Sequence, residues 1–272
     1  MKVILLDGYN LIYRARYSRM NKGEYSSIFN FFRSIRPLIE KFNPDLCYFV
    51  LEGKPVKRLE IDPEYKGQRV YHNKDNFSEQ RKEIINLVKE FFPFKVIRHE
   101  NYECDDVISH LSSVTHKNDE VVIISSDTDF IQSINERVQV YNPVRKCFLE
   151  ETDYDYVSWK ALVGDKSDNI IGFNGIGNKT AQKLLSDNSL LENFLLKENN
   201  KENYEKNKFM IKFHDLTNEE KNFIISRPNT FNWDNLKNKF INFQFNSIIG
   251  NEKTWNKYKE TFKVLERNLL ND

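Results

Sequence analysis

The sequence predicts an α/β fold: a central, mostly parallel sheet with helices on both faces, followed by a helical C-terminal region. Three observations predict it. Short apolar runs alternate with amphipathic stretches through residue 141, as in successive βαβ units. The runs are almost continuously hydrophobic, which suits strands buried on both faces. After about residue 187 the chain becomes polar and helical, with Lys, Asn and Glu concentrated around Lys197 to Lys208.

Lys2 to Leu6 reads as the first strand, and Asp7-Gly8-Tyr9-Asn10 turns out of it. A carboxylate there lies where open α/β sheets place ligands, although a turn aspartate bonding its own backbone reads the same way. Tyr25 to Phe42 has helical spacing interrupted by Pro37. Leu46 to Leu51 is a second strand, ending at Glu52-Gly53-Lys54.

From Lys54 to Lys82 the chain is basic, with Lys54, Lys57, Arg58, Lys66, Arg69, Lys74, Arg81 and Lys82 around Tyr65 and Tyr71. Cations beside aromatics suit a phosphate backbone with unstacked bases. Glu60, Asp62, Glu64 and Asp75 dilute the charge, so a solvated loop also fits. Phe77 to Phe92 is an amphipathic helix and Phe94 to Ile97 a third strand.

Glu103-Cys104-Asp105-Asp106 opens a helix over Val107 to Val114. One acid in a first turn is ordinary dipole chemistry. Three repel one another unless a cation joins them. Val121 to Ile124 is a fourth strand, ending in Ser125-Ser126-Asp127-Thr128-Asp129-Phe130; Val138 to Tyr141 is a fifth, and Asp153 to Val163 a helix. Gly164-Asp165-Lys166-Ser167-Asp168-Asn169 follows, with Asp165 and Asp168 expected on one face of a helical turn. Gly172, Gly175 and Gly177 then permit close backbone approach, and the amides of the next helix start, at Lys179 and Thr180, suit an anion. Farther on, Leu216-Thr217-Asn218-Glu219-Glu220 reads as a helix start capped by Thr217. Phe240 to Ile249 is apolar, and Trp255 to Leu270 is a last helix.

Composition narrows the function. Across 272 residues, 41 Lys+Arg balance 40 Asp+Glu for a net charge of +1, so any nucleic-acid contact is local. Cys47, Cys104 and Cys147 have no paired metal spacing and read as reduced thiols of a cytoplasmic protein. His72, His99, His110, His116 and His214 have no metal spacing either and read as structural or exposed. No apolar run reaches signal-peptide or membrane-spanning length, so no membrane partner is expected. The acids Asp7, Glu52, Glu103, Asp105, Asp106, Asp127 and Asp129 all follow strands or open the next helix, which in a parallel sheet is one shared edge. Oxygen-only ligands indicate Mg²⁺ or Mn²⁺.

Six motifs in this order, LLDGYNLIYRA, FVLEGKPVKR, YKGQR, YECDDVI, SSDTDF and VGDKSDNIIGFNGIGNKTAQKLL, resemble the 5′ nuclease superfamily of flap endonucleases, phage 5′ exonucleases and the 5′ nuclease domain of bacterial DNA polymerase I. The resemblance covers roughly residues 2 to 190. It implies a PIN-like catalytic domain over 1–163 with an arch at about 53–77, then a helix–three-turn–helix DNA-binding region and helical C-terminal segment over 164–272. Asp7, Glu103, Asp105, Asp127, Asp129, Asp165 and Asp168 match the family's metal ligands, and Asp106 matches the catalytic acid beside Asp105, acting directly or through water. Glu52 stands where the family usually has Asp, keeping the charge on a longer arm. Lys66 and Arg69 match the basic residues over the active site, with Tyr65 adjoining. Gly175, Gly177, Lys179 and Thr180 match the phosphate-gripping loop. The resemblance further implies two Mg²⁺ or Mn²⁺ ions, a monovalent cation at 172–180, a monomer, and replication proteins as partners. The substrate it implies is DNA with a 5′ flap or single-stranded 5′ end, cut to a 5′-phosphate and a 3′-hydroxyl, with RNA/DNA primers an open alternative. A PIN-type ribonuclease and a non-catalytic DNA-binding protein of the same fold are the alternatives.

Overall fold

The computed structural model describes residues 1–18, 23–69, 76–197 and 199–270. Tyr71, His72, Lys74 and Asp75 lie outside them. The centre is a sheet of β1 (Lys2–Asp7), β2 (Leu46–Val50), β3 (Lys95–His99), β4 (Glu120–Ile124) and β5 (Val138–Asn142) in the order β5-β4-β1-β2-β3, all parallel. Antiparallel β6 (Cys147–Phe148) borders β5. The other edge carries antiparallel β9 (Phe223–Ser226), a strand whose apolar run is only three residues long and two of whose four residues face water. A separate hairpin pairs β7 (Gly164–Asp165) with β8 (Ile170–Ile171).

Val3 to Leu6 of β1 feed opposite cores alternately, and all four are fully buried, which explains the unbroken apolar run. Ile4 and Leu6 face α1 (Gly8–Tyr17), α2 (Ser26–Phe42) and α4 (Phe77–Phe91). Val3 and Leu5 face α5 (Cys104–His110), which continues as one wide π-helical turn over Leu111–Thr115. A third core joins α6 (Tyr156–Val163) to α7 (Asn178–Leu185), α8 (Asn188–Leu195) and α9 (Asn200–Ile211). The chain then returns. α10 (Trp233–Asn242), α11 (Asn246–Ile249), α12 (Glu252–Glu260) and α13 (Lys263–Leu270) lay Leu236, Phe240, Trp255, Tyr258 and Phe262 onto the α2/α4 core. Leu269 reaches the opposite one.

Several local expectations change. Pro37 does not interrupt α2. It and Arg33, whose carbonyl loses its helical donor, both face solvent, so water can take the freed oxygen. Thr217 does not cap: the Asp215 carboxylate accepts from its amide at 2.9 Å, and the turn that follows is a short 3-10 helix, Thr217–Asn222. The last helix is two helices, broken at Thr261-Phe262 where Phe262 turns into the core. The basic stretch holds an unpredicted helix, α3 (Val56–Ile61), whose Arg58 is buried. Asp165 and Asp168 do not share a helical face; Asp165 ends β7 and Asp168 lies in the turn of the β7–β8 hairpin.

Candidate active site

The carboxyl ends of the parallel strands deliver the acids to one edge. Asp7 ends β1 and caps α1, its Oδ1 accepting from the Asn10 amide at 3.1 Å and its Oδ2 from Ser125 Oγ at 2.7 Å. Ser125 Oγ in turn accepts from the Asp127 amide at 3.1 Å, which ties the ends of neighbouring strands β1 and β4 together. Glu52 follows β2, and the Cys104 amide donates to its Oε2 at 3.3 Å. Glu103 caps α5 and Asp105 lies in its first turn. Asp127 accepts from the Asp129 amide at 2.9 Å.

Positive charge is short among the acids nearest the sheet. Burial pushes Asp7 up to about 6, with the Asp127 charge adding to it against the hydrogen bonds from Ser125 and Asn10. Burial, then Glu103, pushes Glu52 up to about 8. Asp105 is held well above the carboxylate range by burial and by Asp127, Asp7 and Glu52. Asp129 is raised by burial and Asp127 despite Lys160. Crowded acids whose pKa values are raised in this way are groups whose charged form a cation would favour. The donor set fits a hard divalent ion: oxygens only, with carboxylate oxygens of Asp129, Asp165 and Asp168 all within 4.8 Å of one another.

Side-chain cations frame the rest. The Lys66 ammonium bonds Glu103 Oε1 and lies 3.6 Å from Asp168 Oδ2. Burial opposes its charge, but Glu103 and Asp168 more than offset this and raise its pKa. Its backbone has φ 56°, and its amide donates to the Asp168 carbonyl at 3.0 Å, which fixes it over the hairpin. Arg69 Nη2 donates to Asp168 Oδ1 at 2.6 Å. Tyr65 is buried rather than turned out toward DNA, and its hydroxyl lies 3.1 Å from both Glu103 and Asp168.

Asp106 departs from the other acids. It is fully enclosed, bonded by Arg58 at 2.6 and 2.9 Å and by the His214 amide at 2.8 Å. Successive helical residues point about 100° apart, and here Asp105 lines the cleft while Arg58 and the His214 amide hold Asp106 out of it. Arg58 also donates to Glu103 Oε2 at 2.8 Å and to the carbonyls of Met210 and Lys212 at 2.8 and 3.0 Å. It clamps the acids from behind rather than meeting solvent. Lys160, which the motifs did not single out, bonds Asp129 and lies 2.6 Å from Asp165 Oδ2. Burial opposes the charge of Asp165, but the bonds from Lys160 and Ser167 hold it down at about 2. A lone lysine inside the apolar run YVSWKALV was the available signal. His99, His110 and His116 are buried and structural.

The glycine loop divides in two. A Cβ on Gly172 would strike the backbone of Val163 and Gly164, so its bareness serves the hairpin. Gly175, with φ +76°, and Gly177 have open space beside them. Gly177 begins α7 without a side-chain cap, and Lys179 and Thr180 are exposed in the first turn.

An acid-lined cleft at the carboxyl edge of a mostly parallel sheet, with a helical region following it, defines a class of α/β proteins with an acidic, cation-suited edge. Within that class the chain belongs to the 5′-3′ exonuclease family: residues 2–161 match its N-terminal resolvase-like domain and residues 152–228 its C-terminal SAM fold. DNA polymerase I of Thermus thermophilus is 32% identical over 209 residues, 71% of this chain and 25% of that protein. The chain thus spans about a quarter of the length of that relative. In fold it is similar to a bacteriophage T5 flap endonuclease solved as a pseudo-enzyme-product complex with DNA and metal ions, with TM-score 0.64, 22% identity, and 98% of this chain and 100% of that one covered. A T5 5′-exonuclease bound to zinc ions is similar at TM-score 0.62 and 22% identity, covering 98% of this chain and 100% of that one. Among the described residues no helix is long and apolar enough to cross a membrane.

Proposed function

We propose that the chain is a structure-specific, divalent-metal-dependent 5′ nuclease that hydrolyses DNA near junctions of single strand and duplex, leaving a 5′-phosphate and a 3′-hydroxyl. The observation that carries this reading is the convergence of acids from separate strand ends, short of positive charge, beneath Lys66 and Arg69. Two Mg²⁺ or Mn²⁺ ions would be held by Asp7, Glu52, Glu103, Asp105 and Asp127 and by Asp129, Asp165 and Asp168. The chemistry such ions supply when bound is activation of water and neutralisation of phosphate charge.

The protein's own groups do the rest. Tyr65 and Arg58 hold Glu103 from two directions. Lys66 and Arg69, now paired with Glu103 and Asp168, are placed to stabilise charge developing on the scissile phosphate. The amides after Gly177, with Lys179 and Thr180, are placed to grip duplex phosphates, which reads backbone and not sequence.

The test is cleavage of a labelled 5′-flap duplex in Mg²⁺, Mn²⁺ or EDTA, beside single-stranded DNA, blunt duplex and single-stranded RNA. Metal-dependent cutting near the junction is expected. Binding without cutting under either metal overturns the reading.

A further inference from the structure

The end of α9 and the residues after it, Met210 to His214, form a strap across the back of the acid cleft. Met210, Ile211 and Phe213 line that cleft together with Asp105, Asp129 and Asp165. Phe213 also packs on Phe130, the residue after Asp129, with ring centroids 5.4 Å apart.

A side-chain amide holds the strap at each end. Upstream, the buried Asn207 donates from Nδ2 to the carbonyls of Ala161 and Ile171, both at 2.9 Å. Ala161 belongs to α6 and Ile171 to β8, from which the chain passes through the glycine loop into α7. Downstream, Gln132 Nε2 donates to the Ile211 carbonyl at 3.3 Å, and Gln132 Oε1 accepts from the Phe213 amide at 3.1 Å. Both ends of one amide are spent on one segment, so the strap cannot slide past Gln132 without losing both bonds.

Gln132 stands three residues after Asp129 in the 3-10 helix Thr128–Ser133. With three residues per turn, positions i and i+3 fall one above the other. Gln132 therefore ties the strap to the side of the turn that carries Asp129. The spacing matters because the phosphate grip after Gly177 and the acids act on one DNA molecule. Successive nucleotides of a strand are about 3.4 Å apart along the axis, so a slip of that size brings a different bond over the acids.

We propose that Gln132 is a positioning residue that sets which phosphodiester is cut. By pinning the strap to the turn of Asp129, it fixes the distance from the grip, through β8 and Asn207, to the acid edge. The proposal rests on the nuclease reading above.

The probe is a labelled 5′-flap duplex cut in Mg²⁺ or Mn²⁺, with products resolved to single nucleotides. The variants are Gln132→Met, of similar length but without the amide, and Gln132→Asn, whose amide is one methylene too short to reach both partners. Each is expected to lower kcat about tenfold or more while leaving duplex affinity in EDTA unchanged. Each should also raise the share of product cut one nucleotide from the main site about fivefold, the worth of one net hydrogen bond. Loss of folded protein reduces all products alike and leaves their ratio unmoved, so the register separates positioning from mere support. An unchanged product ratio in both variants, or weakened duplex binding that accounts for the lost rate, overturns the positioning role. A wild type that cuts the flap in neither metal overturns the nuclease reading and this proposal with it.

Discussion

Replacing Arg58 with methionine separates a clamp from a DNA contact. Arg58 is 3% exposed and makes five hydrogen bonds, to Asp106 twice, to Glu103, and to the carbonyls of Met210 and Lys212. Asp106 is wholly buried, so Arg58→Met strands its charge and leaves one oxygen of Glu103 to Tyr65 alone. Removing one partner of such a pair costs about 3–5 kcal/mol. At roughly 2–4 °C per kcal/mol for a chain of this size, the melting temperature should fall by about 6–20 °C. The double variant Arg58→Met/Asp106→Leu removes both charges and should recover much of the loss, since buried pairs are often replaceable by apolar groups. Calorimetry or urea unfolding reads both. A single variant costing under about 1 kcal/mol, or a double variant no better than the single, would refute the clamp and return Arg58 to the solvated basic stretch.

Further tests follow from the acid edge and the glycine loop. Asp127→Asn should nearly abolish cleavage of a 5′-flap duplex while leaving its affinity largely intact; comparable loss of both counts against a metal role. Lys179→Ala should weaken duplex binding and reduce the salt slope by about one; an unchanged slope removes it from the phosphate grip. Asp7, raised to about 6, and Glu52, raised to about 8, bind protons more tightly folded than unfolded. Their contribution to stability therefore falls as pH rises from about 4 to 8 in EDTA. Added Mg²⁺ or Mn²⁺ should remove that decline, and melting curves across this range with and without metal will show it. Parallel curves under both conditions would mean that the ions do not engage these carboxylates.

Much of the fold was legible because β1, β2 and β4 are buried on both faces and announce themselves as apolar runs ending in acids. The placing of Asp7, Glu52, Glu103 and Asp127 at one edge followed from parallel topology alone. Direction within that edge did not. Nothing in Asp105-Asp106 says which carboxylate faces the cleft; that is set by Arg58 and by the His214 amide arriving from far down the chain. Arg58 itself looked like its exposed neighbours, because a charged residue hidden by distant partners leaves no local pattern. β9 was missed because its apolar run is only Phe223-Ile224-Ile225, too short between polar flanks to separate from a loop.

The return of the last helices to the first core also has a kinetic meaning. Phe32 and Phe92 stack on each other and pack against Phe240 and Phe262, and β3 gains its outer neighbour only from Phe223–Ser226. During synthesis the strands that carry the acids emerge long before the residues that seal the sheet's edge and cover α2 and α4. Such distant pairings are costly to close and slow to form. Until Phe262 is made, an aromatic face and an open strand edge are both exposed, which is the combination that invites aggregation. The interval between building the acid edge and closing the core behind it is therefore when this protein is most vulnerable. Substitutions in α10 to α13, far from the chemistry, should reduce the yield of active protein more than the rate of each active molecule.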